Sequence, residues 1–376
     1  MTLLGLSGLL LVSLVGPALS AVRRARIPMV VGELAAGTVI GTTGFGWARP
    51  GDRVFSFLAQ AGFALVMTVA GSHVPVRDTR LRGALVKGGL IAAATGIVSV
   101  PVGLALSHLA GTGHAGVYAV VLASSSAALV MPVVDADRLA GPEVLTMLGQ
   151  VVVADTACIV ALPLVSDPRH AGRAAVGAAV VVTAAVALFL VLLLLERRGA
   201  LLAVHRRSVA QTFGLEMRLS LLALFGLAGL AENVHVSVML AGFSAGLILA
   251  ALGPPRRLGA QLFGVTEGFL GPIFFIWLGA TLDLRALVDH PALVLLALGL
   301  AAGTLLIHAA ARIAGQPLPL ALLASAQLGV PVAAVTLGTE NGTLRPGEGG
   351  AILAAALVSV CVASAAGARA AGNQHH

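Results

Sequence analysis

Runs of about 20 apolar residues follow one another along the whole of this 376-residue chain, separated by short Gly-, Pro- or Arg-containing turns. A run of that length crosses a hydrocarbon core of about 30 Å as a helix. Within hydrocarbon only helices and closed barrels satisfy their own backbone groups. The pattern predicts an all-α polytopic membrane protein with thirteen spans: 3–22, 28–47, 54–74, 84–109, 113–134, 144–166, 172–195, 214–233, 235–253, 261–283, 290–314, 317–340 and 347–367. Charged residues make up only 10% of the chain, against about 25% in a soluble domain. A soluble fold is thereby excluded.

A net charge of +7 raises the question of nucleic acid, but the placement of the charge answers it. Of the 23 basic residues, 17 fall on loops that follow odd-numbered spans. Such an excess marks the cytoplasmic side. It predicts a multi-pass protein of the bacterial inner membrane with its N-terminus outside and its C-terminus cytoplasmic, and no nucleic-acid partner. The first run, Leu3–Val22, is followed by the Arg23–Arg26 cluster rather than preceded by one. It therefore reads as a span and not as a cleaved leader. The one sizeable loop, from Glu196 to about Phe213, has a candidate interfacial helix at Ala200–Val204. Cys158 and Cys361 both sit inside apolar runs, without disulfide or metal-ligand spacing. Neither a His-Glu-x-x-His metal motif nor a Gly-x-Ser-x-Gly elbow is present. No enzyme activity, cofactor or resident metal is expected.

Two stretches recur seven spans apart. Gly71-x-x-Val74-x-Val76-Arg77 in span 3 matches Gly279-x-x-Leu282-x-Leu284-Arg285 in span 10, and residues 34–41 of span 2 match 240–246 of span 9. An odd offset reverses orientation, so spans 1–6 and 8–13 are predicted to be inverted six-helix repeats, a common transporter plan. The corresponding domains are 1–170, a linker at 171–213, and 214–376. The same register pairs span 5, with consecutive Ser124, Ser125 and Ser126, with span 12, where Ser325, Gln327, Gly329 and Pro331 cluster. Proline and hydroxyls at these places predict two interrupted helices crossing at mid-membrane; the alternative for each is a kink in a continuous helix.

An ionised group at the bilayer centre costs at least ~2.5–3.5 kcal/mol and marks function by default. Asp155 stands at the centre of span 6, whereas Glu33, Lys87, Glu267, Asp283 and Arg312 lie nearer span ends. Gln150, Thr156 and Ser124–Ser126 supply neighbouring oxygens of the kind a hard monovalent cation takes. A carboxylate that takes either a cation or a proton is the simplest basis for exchange. His308 in span 11 is the candidate proton relay, or else a helix–helix donor.

At these residues the chain resembles the monovalent cation:proton antiporter-2 family. The resemblance rests on VGELAAGTVIGTTGFG (31–46), ASSSAALVMPVV (123–134), LGQVVVADTACIV (148–160) and GPIFFIWLGATLDL (271–284). It implies that Asp155 is the essential ion-site aspartate, that spans 4–6 and 11–13 form a moving core, and that spans 1–3 and 8–10 form a scaffold that makes a homodimer. It further implies elevator-like exchange of Na⁺ or K⁺ for protons in pH homeostasis. Three positions depart from the family pattern. Ala154 stands where many electrogenic members carry a second Asp, Gly303 near where many carry a basic residue, and QLGVP (327–331) where some carry a charged stretch. A single carboxylate then implies electroneutral exchange. The alternatives are a carrier of the same fold for another solute, or a transport-inactive sensor or scaffold.

Overall fold

A computed structural model of the chain describes residues 1–21, 29–74, 76, 79–166, 171–199, 214–234, 236–253 and 256–374. The Arg23–Arg26 cluster, the Ala200–Val204 segment and His375-His376 lie outside them. Every regular element among the described residues is helical. In chain order these are α1 (Leu3–Ser13), α2 (Val15–Ser20), α3 (Met29–Ile40), α4 (Arg53–Ser72), α5 (Thr79–Ala110), α6 (Ala115–Ala123), α7 (Ala127–Ala136), α8 (Pro142–Ser166), α9 (Ala171–Arg197) and α10 (Leu215–Asn233). Then follow α11 (Val238–Leu252), α12 (Arg256–Val265), α13 (Gly271–Thr281), α14 (Leu284–Asp289), α15 (Pro291–Ala309), α16 (Leu318–Leu323), α17 (Gly329–Glu340) and α18 (Glu348–Gln374).

Nine helical stretches among the described residues are long and apolar enough to cross a membrane; they coincide with spans 1, 3–7, 10, 11 and 13. Spans 2, 9 and 12 fall on the shorter apolar helices Met29–Ile40, Val238–Leu252 and Gly329–Thr339. Span 8 falls on α10, whose 19 residues include Glu216, Arg218 and Glu232. Span 10 is not one uniform helix. A π-turn at Thr266–Leu270 joins α12 to α13, and Asp283 then caps α14 by accepting the Ala286 N–H at 2.9 Å.

The chain forms two compact units. One comprises Met1–Leu10, Gly51–Arg77 and Gly172–Phe275; the other comprises Leu11–Pro50, Asp78–Ala171 and Ile276–His376. Each contains a seam in which glycines let two helices touch through their backbones, the usual device where apolar packing cannot select a partner from lipid. In the first unit α4 meets α11. A Cβ placed on Gly246 would lie 2.2 Å from the Thr68 carbonyl oxygen, and one on Gly71 2.4 Å from that of Phe243. In the second unit α3 meets α13. A Cβ on Gly37 would lie 2.2 Å from the Ile276 carbonyl oxygen, and one on Gly279 2.2 Å from that of Leu34. Side-chain hydroxyls tie off the second seam, with Thr42 Oγ1 donating to Ala280 O at 3.0 Å and Thr43 Oγ1 to Leu282 O at 2.5 Å.

Over-packing a helix contact costs about 1–3 kcal/mol, and a rigid carbonyl neighbour leaves little room to relax. Gly246→Val is therefore expected to lower the melting temperature in detergent and deplete the monodisperse peak on gel filtration. Gly226→Ala, in α10 with open space around it, is expected to leave both unchanged or improved.

Candidate functional site

Three consecutive serines interrupt an otherwise apolar helix because their hydroxyls offer the backbone partners outside the helix. α6 ends at Ala123, and Ser124 (φ −72°, ψ 150°) and Ser126 (φ −133°, ψ 109°) are extended before α7 starts. The break leaves the last carbonyls of α6 and the first N–H groups of α7 without helical partners. One of the latter, Ala127 N–H, donates to Asp155 Oδ2 at 3.0 Å. Asp155 lies mid-way along α8 and is 4% exposed. A carboxylate at a helix N-terminus meets both a free N–H and the positive end of the helix dipole. No hydrogen bond from the described residues reaches its other oxygen, Oδ1.

The second interruption occupies Ala324–Leu328, between α16 and α17. Ser325 and Gln327 are in it. Gly329 and Pro331 are not: they open α17, where the missing proline N–H falls among groups that have no helical partner anyway. The expectation that all four residues form the interruption is corrected for Gly329 and Pro331, which stand in the first turn of the following helix.

The two breaks close on each other. Ser125 Oγ donates to the Ala324 carbonyl at 2.6 Å, and Ser124 Oγ lies 2.6 Å from Gln327 Oε1. Gln327 Nε2 in turn donates to Thr304 Oγ1 of α15 at 3.0 Å. His308, one turn on, donates through Nδ1 to the Thr304 carbonyl at 2.9 Å. That bond leaves Nε2 facing Ser125 Oγ at 3.4 Å. Ser124, Ser125, Ser126, Thr304, His308, Ser325 and Gln327 are all buried. The result is a neutral ring of hydroxyl, amide and imidazole groups beside a single carboxylate.

Two further residues expected at the site, Thr156 and Gln150, lie on the same helix as Asp155. Thr156 Oγ1 donates to its own helix at Val152 O, 2.8 Å away. Gln150 is five residues from Asp155, about 140° around an α-helix. It is fully buried with neither amide atom partnered.

A second polar cluster was not anticipated. Glu348, fully buried at the start of α18, accepts from Tyr118 Oη at 2.5 Å, from His114 Nδ1 at 2.7 Å and from Arg345 N–H at 3.0 Å. It joins the start of α18 to the start of α6. The signals available in the sequence were the chain's lone tyrosine and an acidic residue opening the last apolar run. The described residues contain no group of three or more His, Cys, Asp or Glu able to hold a metal ion.

A family model described as "Sodium/hydrogen exchanger, transmembrane" matches residues 10–368. The chain is 24% identical over 284 residues to the putative Na(+)/H(+) antiporter YjbQ of Bacillus subtilis, covering 72% of this chain and 46% of that protein. It is 29% identical over 300 residues to the glutathione-regulated potassium-efflux system protein KefC of Salmonella typhimurium, covering 77% and 47%. It is 25% identical over 289 residues to the K(+)/H(+) antiporter subunit KhtU of Bacillus subtilis, covering 75% and 69%. The chain thus spans about half the length of the first two relatives. Among solved structures, the sodium proton antiporter MjNhaP1 from Methanocaldococcus jannaschii at pH 8 aligns with a TM-score of 0.65 over 99% of both chains at 18% identity. That likeness is one of fold.

Leaving a buried polar group without its partner costs ~1–3 kcal/mol. Gln327→Leu strips partners from both Thr304 and Ser124, so a clear fall in melting temperature is expected in detergent. Thr156→Val, whose hydroxyl serves only its own helix, is expected to melt near the parent protein.

Proposed function

The chain belongs to the sodium/hydrogen exchanger transmembrane family, and from that premise we propose that it exchanges a monovalent cation, Na⁺ or K⁺, for protons across the bacterial inner membrane. The observation that carries the reading is Asp155: a buried carboxylate steadied on one oxygen by the Ala127 N–H of a broken helix, with the other oxygen open. Its neighbours at the break are neutral oxygens, the ligand class of hard monovalent cations. A proton and a cation then compete for one site. Its relatives are named for sodium as well as potassium antiport, in keeping with a monovalent-cation substrate.

The wider architecture in this reading has thirteen spans, with spans 1–6 and 8–13 as inverted repeats. The glycine seams support it. If span 2 corresponds to span 9 and span 3 to span 10, a contact between spans 2 and 10 must recur between spans 9 and 3. Gly37 of α3 and Gly41, just past its end, meet Ile276 and Ala280, while Gly242 and Gly246 of α11 meet Ala64 and Thr68. Each seam is the counterpart of the other under that exchange. Asp155, both helix breaks and His308 belong to one compact unit, as an elevator-like displacement of the site would require. The chain works as a homodimer, N-terminus outside and C-terminus cytoplasmic, in this reading.

Asp155→Asn keeps the shape and removes the titrating group. In proteoliposomes loaded with a pH dye, pulses of Na⁺ or K⁺ are expected to produce pH changes with the parent protein and none with the variant, which still folds. Near-normal exchange by the variant would falsify the assignment.

Stoichiometry follows from the charge count. Asp155 is neutral when protonated and neutral when paired with a monovalent cation, so neither loaded form carries net charge. Moving one charge against 100 mV would involve ~2.3 kcal/mol. The initial exchange rate at matched ion gradients is therefore expected to be the same at 0 and −100 mV, with one proton per cation. A steep voltage dependence would contradict this, and its disappearance in His308→Ala would assign the extra charge to that imidazole.

A further inference from the structure

Gln316 is 3% exposed, yet neither its amide nitrogen nor its amide oxygen has a hydrogen-bond partner. It lines a cavity of about 100 Å³ together with Lys87, Glu143 and Thr146. Lys87 is the chain's only lysine. Both Lys87 and Glu143 are exposed, and no ion pair joins them. Three apolar stretches have an end here: Gly83–Ala110 and Pro142–Ser166 begin beside the cavity, and Pro291–Ala314 finishes two residues before Gln316. The cavity therefore stands at the level where helices leave the apolar layer, within a single compact unit that also holds Asp155.

We propose that this cavity binds a zwitterionic phosphoethanolamine group, the headgroup of a phosphatidylethanolamine lipid or its free counterpart. The lining carries one positive and one negative side chain, so a lone anion or a lone cation would leave one of them unmatched. A ligand with a phosphate and an ammonium answers both: the phosphate to Lys87, the ammonium to Glu143. Gln316 is able to serve both ends, since its amide nitrogen donates and its amide oxygen accepts. Thr146 Oγ1 donates to Pro142 O at 2.9 Å, which leaves its lone pairs as acceptors for the ammonium. The volume accommodates several waters or one such group. A buried amide with no partner is costly enough that some occupant is required.

The test uses full-length protein extracted in mild detergent and offered phosphatidylethanolamine, phosphatidylcholine and phosphatidylglycerol in equal amounts, with native mass spectrometry as the readout. Phosphatidylethanolamine is expected to be retained several-fold better than the other two, Lys87→Met to lower retention of all three, and Glu143→Gln and Gln316→Leu each to abolish the preference. Lys87 is exposed, so its variant is expected to melt like the parent and to control for folding. Asp155→Asn is expected to keep the lipid, which separates this site from the exchange reading. Soluble phosphoethanolamine is tested in parallel by thermal melting. A rise in melting temperature without selective lipid retention assigns the site to the free compound. Equal retention of all three lipids with no shift from phosphoethanolamine, as for a cavity holding water only, overturns the proposal. Undiminished preference in Gln316→Leu does the same.

Discussion

A peptide N–H or carbonyl facing hydrocarbon without a partner costs several kcal/mol, and this protein interrupts two of its apolar helices. The rest of the buried polar structure follows from how those loose ends are satisfied. Ser125 reaches the Ala324 carbonyl of the opposite break, and Asp155 takes the first N–H of α7. Thr304 anchors Gln327 and His308 together, one through its hydroxyl and the other through its carbonyl. The first break gives a hydroxyl to a carbonyl of the second, and the second gives an amide oxygen to a hydroxyl of the first.

This closure also explains the electrical simplicity of the site. Hydroxyls and amides satisfy backbone groups without carrying charge in either protonation state. Asp155 is the carboxylate within the set, and its attachment uses only one of its two oxygens. The Glu348 cluster is the opposite case. There, two side chains and a backbone N–H converge on one carboxylate, which suits it to fastening the start of α18 rather than to exchanging ligands.

How far these features can be read from residue order depends on the distance over which each is encoded. The break at Ser124–Ser126 is local, and so was visible as three adjacent hydroxyls. Asp155 was visible because one charge stood alone in an apolar run. The second break was drawn too far along the chain because proline is tolerated in a first helical turn: α17 begins at Gly329, and Pro331 lies within its first turn. Gln150 was grouped with Asp155 by nearness in sequence, whereas helical rotation turns it to another side. Ser125 meets Ala324 across 199 residues, and Tyr118 meets Glu348 across 230. The register of the repeats predicted that the two breaks cross, without naming these atoms, whereas nothing in the local sequence announces the Tyr118–Glu348 pair. The π-turn at Thr266–Leu270 likewise leaves the run of apolar residues unbroken.

The backbone-to-backbone seams have a consequence for how the gene can drift. Any single-base change that replaces glycine with another residue adds at least one carbon, because no smaller residue exists. At an ordinary apolar position, exchange among Leu, Ile, Val and Met offers many nearly equivalent neighbours. At Gly37, Gly246 and Gly279, the added carbon would fall 2.2 Å from a carbonyl oxygen, and the opposing partner is main chain, which no codon can shrink. A lesion there cannot be rescued by trimming the facing side chain, so compensation must come from moving a whole helix. These positions are evolutionary dead ends for small steps, and two lineages of this chain would be expected to diverge everywhere along their lipid-facing surfaces before they diverge at the seams.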